Sequence, residues 1–317
     1  MESKQIYNIH NLFCLELVEH GRSCGLPELL AGLRTERLKE PRVKLTIVNR
    51  SHQLPRRSDA VFAGRYKGIP WRLLCNRDSA GHPAEIHFYA PCFRLFLGVR
   101  LALIPLVRQL ALERGGFGLL GTAFRWRGVT WHLYGRPGTG KTKLLIEALE
   151  DGGELVGDFE LVASSDGTLH PLIDRVEFRY ATVRHTPYWR HLTGPQRRWL
   201  QMCRLISFLT GRWTSFNLVM APGQLGCPVA KDKAEAKHTL VGIGFDQKEW
   251  NAEGATRELM GYYHWYESIY GVVLNGDTGA RDRQLTANVR RYVSRCDLLA
   301  LPVGRGLQGL QSAESRR

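Results

Sequence analysis

Eight consecutive residues carry the clearest chemistry in this chain: Gly135, Arg136, Pro137, Gly138, Thr139, Gly140, Lys141 and Thr142. They fit the pattern G-x-x-x-x-G-K-[ST] at every fixed position. The glycines allow successive backbone N–H groups to turn toward one anion. A helix starting near Lys141 adds the positive end of its dipole. Lys141 is placed to reach the β- and γ-phosphates of a nucleotide, and the Thr142 hydroxyl to hold Mg²⁺. All eight residues are therefore assigned to nucleotide binding, with ATP and Mg²⁺ as the expected cofactors.

Sixteen residues after Thr142 stands Asp158, with Glu160 two places further on. Alternate residues of an extended strand share a face. Asp158 and Glu160 are thus expected to face the phosphates together, with Phe159 turned away. Two carboxylates so placed hold a metal and take a proton from an attacking hydroxyl. Asp158 is the expected base alongside Lys141, and Thr142, Asp158 and Glu160 form the expected metal set.

These side chains need a strand before the loop and a helix after it. "VTWHLY" reads as the strand, Lys141 to Glu150 as the helix, and Gly152-Gly153 as its end. "ELVGDFELVA" reads as a returning strand, expected to pack directly beside the loop strand, and "SSDGT" as a turn. Further strands are read at "FNLVM", "TLVGIGF", "YGVVL" and "LLALPV". Thr193 is a helix N-cap with Pro195 in the first turn, and the stripe Trp199, Cys203, Ile206 and Leu209 is assigned to the core. Asn251 caps a helix running to about Ile269, whose Tyr263, Tyr266 and Tyr270 share one face and are also assigned to the core.

Residues 1–40 read as mostly helical, and 43–90 as short strands broken by turn-formers. The apolar segment 94–113 is cut by Arg94, Arg100 and Arg108 and kinked by Pro105. It falls short of the roughly 20 apolar residues of a spanning helix and reads as a buried helix, so no membrane span is expected. The expected division is a mixed, β-rich region at 1–110, an α/β phosphate-loop domain at 111–303, and a disordered tail at 304–317.

The segments "LLGTAFRWRGVTWHLYGRPGTGKT" and "LEDGGELVGD" resemble the HPr kinase/phosphorylase family and its relatives, which share a core with phosphoenolpyruvate carboxykinase. The resemblance spans roughly residues 100–175 and includes "LVRQLALERGG" and "SSDGTLHPL". Gly121 falls where the family's glycine follows its histidine, and Asp158 falls on the first aspartate of an Asp-Asp pair. The resemblance implies an α/β fold with that phosphate-loop core and an ATP-dependent kinase that phosphorylates a hydroxyl. Leu120 stands where the family has histidine and Phe159 where it has the second aspartate. The later Arg-Gly-rich signature has no counterpart, so HPr is not the expected acceptor. Some relatives phosphorylate ribosomal peptides during their tailoring. The alternative is a non-catalytic nucleotide-binding switch derived from the same family.

Net charge is 44 − 30 = +14, with the basic residues read as scattered. This balance favours anionic partners: nucleotides, acidic peptides, nucleic acid or a membrane surface; the resemblance implies an acidic peptide, a protein or a small hydroxyl acceptor, with nucleic acid not expected. A homo-oligomer is compatible with it. Seven cysteines, an odd number without a C-x-x-C spacing, read as reduced thiols of a cytoplasmic protein without a zinc site. His132 before the loop is read mainly as a packing residue, Arg125 and Arg127 mainly as a hairpin edge. Arg281, Arg283, Arg290, Arg291 and Arg295 form a basic cluster suited to an acidic acceptor.

Overall fold

The computed structural model describes residues 2–10, 12–21, 23–36, 42–66, 68–136, 138–172, 176–209, 218–220, 226–230, 237–270 and 278–314. The fold is mixed α/β and divides into two compact units. The first is Met1–Leu119 with Val162–Asp166 and Leu259–Val289; the second is Leu120–Leu161, Gly167–Glu258 and Arg290–Arg317. The chain therefore leaves the first unit and returns to it, which corrects the sequential division at residue 110.

The first unit holds a six-stranded sheet of β1 (Glu2–Ile9), β2 (Phe13–His20), β3 (Arg42–Val48), β4 (Ala60–Tyr66), β5 (Ile69–Arg77) and β6 (Pro83–Tyr89). Their order is β1-β2-β3-β6-β5-β4. The mostly helical start expected for residues 1–40 is thus corrected: apart from the four-residue α1 (Leu26–Leu29) and a 3₁₀ turn, the described part is a β-hairpin. The Leu- and Glu-rich composition of β2 suits a helix in isolation. Pairing overrides it, because the buried Glu16 carboxylate meets Lys4 Nζ at 3.0 Å from β1 and the Arg42 guanidinium from β3. Such cross-strand charge pairs are available only in a sheet.

The apolar segment forms one helix, α2 (Arg94–Glu113), with a π-helical stretch at Val99–Leu103 just before Pro105. A proline ring clashes with the carbonyl four residues earlier, here Leu101, and the wider turn relieves that clash. By length and composition α2 is apolar enough to cross a membrane, yet 78% of its apolar window is buried in the fold. Its buried Arg108 lies 4.0 Å from the Tyr266 ring centroid and 4.9 Å from that of Tyr263. These rings cover the buried cation with their electron-rich faces. They also show why Leu259–Val289 belongs to this unit, and they agree with the assignment of Tyr263 and Tyr266 to the core. The Tyr270 side chain lies outside the described residues, as does the strand expected at "YGVVL" beyond it.

The second unit is built on a sheet in the order β10-β9-β7-β8-β13-β14. Its strands are β7 (Phe117–Trp126), β8 (Val129–Tyr134), β9 (Glu154–Ala163), β10 (Leu169–Pro171), β13 (Lys237–Ile243) and β14 (Asp297–Leu301). β7 and β8 form an antiparallel hairpin whose turn residues Arg127 and Gly128 have φ of 52° and 76°, as a two-residue primed turn requires. β8, β13 and β14 run parallel. A separate pair joins β11 (Val176–Phe178) to β12 (Leu218–Met220). Packed around them are α3 (Lys141–Glu150), α4 (Tyr180–Val183), α5 (Tyr188–His191), α6 (Gly194–Leu209) and α9 (Gly306–Glu314). The assignment changes within two long helices: α7 (Ala252–Tyr270) belongs to the second unit up to Glu258 and to the first from Leu259, and α8 (Thr278–Val293) to the first up to Val289 and to the second from Arg290.

β8, α3 and β9 match the bounds read from sequence. Asn251 accepts the Gly254 N–H at 2.9 Å, capping α7 as expected. Thr193 and Gln196 cap α6 reciprocally, at 3.4 and 2.8 Å. Two expectations fail. The stripe on α6 is not core throughout: Cys203 is buried, but Trp199 and Leu209 are 47% and 72% exposed. The tail expected to be disordered from 304 contains α9, because Leu310 is fully buried in the unit's core and Leu307 packs against it.

Candidate functional site

The phosphate loop leaves the carboxyl end of β8 and enters α3. That is the end of a parallel strand set at which α/β folds place ligands. A Cβ on Gly135 would lie 2.8 Å from Thr139 Oγ1 and 3.0 Å from the Ile243 carbonyl at the end of β13, so no larger residue fits. Gly138 and Gly140 have φ of 91° and 97°, with open space where a Cβ would be. Thr139 ties the loop together, its hydroxyl donating to the Arg136 carbonyl at 2.9 Å. Lys141 folds its ammonium back onto the loop and donates to the carbonyls of Gly135 at 2.6 Å and Arg136 at 3.1 Å. Thr142 is half-buried in the first turn of α3. Pro137 lies outside the described residues.

Asp158 is 5% exposed. Its Oδ1 accepts the Thr122 hydroxyl from β7 at 2.6 Å, and its Oδ2 accepts the Glu177 backbone N–H from β11 at 3.2 Å. It also lies within electrostatic reach of Lys141. Burial lowers the Lys141 ammonium to about 8; Asp158 opposes that shift and Arg179 adds to it. The structure thus gathers a lysine, a carboxylate and an arginine at the loop. Arg179 was not singled out from sequence. It follows β11, whose pairing with β12 and hydrogen bond to Asp158 bring it in, and no local motif announces either contact.

Two expectations about Asp158 are corrected. β9 does not lie beside β8, because the tight hairpin puts β7 between them; Asp158 is held from β7 through Thr122. Nor does the simple pleat hold. Phe159 has φ of 82°, and Leu161 Cδ2 would approach a Cβ on Gly157 to 2.6 Å. An extended strand separates positions four apart by about 13 Å, so β9 is sharply bent at Phe159. Asp158 and Glu160 are both buried and Phe159 is half-buried, but their shared face no longer follows from alternation.

Among the described residues no group of three or more His, Cys, Asp or Glu is poised around a metal. Mg²⁺ bound with a nucleotide needs less, one or two carboxylates together with the phosphates. The buried Asp158 carboxylate beside Lys141, with Thr142 one residue further along the helix, suits that donor set.

The remaining candidates settle into structural roles. His132 Nδ1 and the Tyr292 hydroxyl share a hydrogen bond at 2.9 Å. Burial, then His238, lowers the imidazole to about 3, so it stays neutral in the interior. Gly121 lies against it, where a Cβ would come within 2.5 Å of Nε2. Leu120 is half-buried and has no titratable group. Arg125 and Arg127 sit at the hairpin edge, 3.9 Å from Glu154 and 3.7 Å from Asp151. Arg281 is buried in an ion pair with Glu267 and is withdrawn from the expected basic cluster. No protein-family model matches the chain, and no curated protein matches it.

Proposed function

We propose that the protein is an ATP-dependent kinase with a core of the HPr-kinase type, which transfers the γ-phosphoryl group to a hydroxyl of a peptide, protein or small molecule. The observation that supports this reading is the buried Asp158 carboxylate held by Thr122 and Glu177 within electrostatic reach of the loop lysine.

An ionised carboxylate offers about four lone-pair sites, and Thr122 and Glu177 occupy two of them. In this reading the same carboxylate orients an acceptor hydroxyl and takes its proton. As the acceptor oxygen forms its bond to the γ-phosphorus, the bond from that phosphorus to the β–γ bridging oxygen breaks, ADP departs, and the proton passes to Asp158. On binding ATP, Lys141 exchanges its two loop carbonyls for phosphate oxygens, and Arg179 adds a second positive charge against the transferring group. Thr142, Asp158 and Glu160 are the residues expected to hold Mg²⁺, which would neutralise the phosphate charge.

The test is transfer of label from γ-labelled ATP to serine-containing peptides, with Asp158→Asn as the control. Transfer by the wild type that collapses in the variant, with ATP affinity retained, is the expected result. The second reading, a nucleotide-binding switch without transfer, is favoured by Leu120 and Phe159 at positions where the resembling family carries a histidine and an aspartate. It wins if the wild type binds ATP and never transfers phosphate.

A further inference from the structure

The positive charge of this chain is not scattered. Residues 178–231 contain eight Lys or Arg (Arg179, Arg184, Arg190, Arg197, Arg198, Arg204, Arg212 and Lys231) and no Asp or Glu. That is +8 of the net +14 on about a sixth of the chain. The same segment carries α6, whose solvent side presents five large apolar side chains interleaved with exposed Arg198, Gln201 and Arg204: Trp199, Met202, Leu205, Phe208 and Leu209 are 47%, 51%, 49%, 81% and 72% exposed. Together they make up nearly half of the exposed large hydrophobics among the described residues. Apolar exposure gathered on one helix in this way marks an interaction surface.

This surface connects to the phosphate loop. Arg179 directly follows β11, whose Glu177 backbone N–H bonds Asp158 Oδ2 at 3.2 Å, and its charge acts on Lys141. Its neighbour Tyr180 lies under Arg204 of α6, 5.0 Å from ring centroid to guanidinium, and under Arg184 at 5.5 Å. The path runs Arg179, Tyr180, Arg204 and then the exposed apolar side chains of α6, all within the second unit. We infer that this path is the docking surface for an acidic peptide with apolar anchors, whose hydroxyl-bearing end reaches the loop. Charge complementarity selects a carboxylate-rich partner, since no acidic side chain within the segment competes for the arginines. The apolar side chains take Leu- or Phe-type anchors in the manner of a helix or extended segment laid along them. Continuity with the loop favours a peptide over an anionic membrane: one end of the surface lies at the site of transfer. The inference names the acceptor class for the proposed kinase and rests on that reading, but the docking itself is measured without ATP.

The probe is a short fluorescein-labelled peptide with Asp and Glu on one face, Leu and Phe on the other, and one terminal serine. The controls are the same peptide with Lys for its carboxylates, vesicles of phosphatidylglycerol and phosphatidylcholine, and a single-stranded oligonucleotide. The variant is Leu205→Glu with Phe208→Glu. Both positions are exposed, so the fold is retained, as checked by circular dichroism and ATP affinity. The expected result is binding of the acidic peptide by fluorescence anisotropy, weakened about tenfold or more in the variant, with ATP affinity unchanged. Equal binding by wild type and variant overturns the inference. So does a variant that loses vesicle, oligonucleotide or self-association signal while keeping peptide affinity. Binding without transfer to the serine upholds the docking surface and rejects the kinase. Transfer that is indifferent to the variant upholds the kinase and rejects the surface.

Discussion

Under the proposed function, Lys141 is expected to make nucleotide affinity depend on pH in a range where an ordinary lysine would be silent. Its ammonium is lowered from 10.5 to about 8 by burial, against the pull of Asp158 and with the push of Arg179. The phosphates require the charged form, so free protein that has lost the proton must regain it on binding. With a free-state pKa of 8, the affinity penalty factor is 1 + 10^(pH − 8). It rises from about 1.1 at pH 7 to about 11 at pH 9, a tenfold weakening or about 1.4 kcal/mol. A lysine at 10.5 would change by about 3% over the same interval. The terminal phosphate of ATP loses its last proton at about pH 6, so it is largely ionised over this interval and the ligand contributes only a small slope. Calorimetry at pH 7, 8 and 9, in two buffers of different ionisation enthalpy, reads both the affinity and the proton uptake. Arg179→Ala should flatten the profile by moving the lysine back up. An affinity that is constant from pH 7 to 9, with no proton uptake at pH 9, would refute the reasoning. The sign for stability is also fixed: the unfolded chain binds more protons between about 8 and 10.5, so the unliganded protein gains stability as pH rises through that window.

Further outcomes are expected. Lys141→Ala abolishes ATP binding by calorimetry while circular dichroism stays native, since the change removes only the ammonium's bonds to two loop carbonyls. Asp158→Asn keeps the fold, because an amide can still accept the Glu177 N–H and donate to Thr122. Phosphoryl transfer should fall by about 10²–10⁴ in a single-turnover assay, the usual worth of a general base. Gly242→Ala should destabilise the protein by about 1–3 kcal/mol or more in chemical denaturation, since its Cβ would sit 2.3 Å from the buried ring of Trp250. HPr should remain unlabelled in the transfer assay, in keeping with Leu120 and the absent Arg-Gly signature.

What the sequence conveyed was local. The loop, β8, α3 and the Asn251 and Thr193 caps depend on residues within a few positions of one another, and spacing alone identifies them. What it withheld was set by contacts far apart in the chain. β7 slips between β8 and β9 because a two-residue turn at Arg127-Gly128 makes that hairpin unavoidable, yet nothing at Asp158 records it. Arg179 arrives through pairing with a strand some forty positions later. The hairpin of β1 and β2 reads as helix until Glu16 is seen to need Lys4 and Arg42. Trp199 and Leu209 look like core because helical periodicity reports which residues share a face, not whether anything covers that face. The positive φ at Phe159 defeats the pleat argument, since a non-glycine residue in that region is uncommon and leaves no trace in composition.

The return of Leu259–Val289 to the first unit has a consequence for biosynthesis. Arg108 is made long before Tyr263 and Tyr266, the rings that cover it. At about 5–20 residues per second, the intervening chain takes roughly ten to thirty seconds to emerge from the ribosome. Throughout that time α2, the most apolar helix of the chain, has its buried cation uncovered and its own partner unmade. The nascent first unit is therefore a client for whatever shields apolar segments during translation, and fragments ending before residue 259 inherit the same defect permanently.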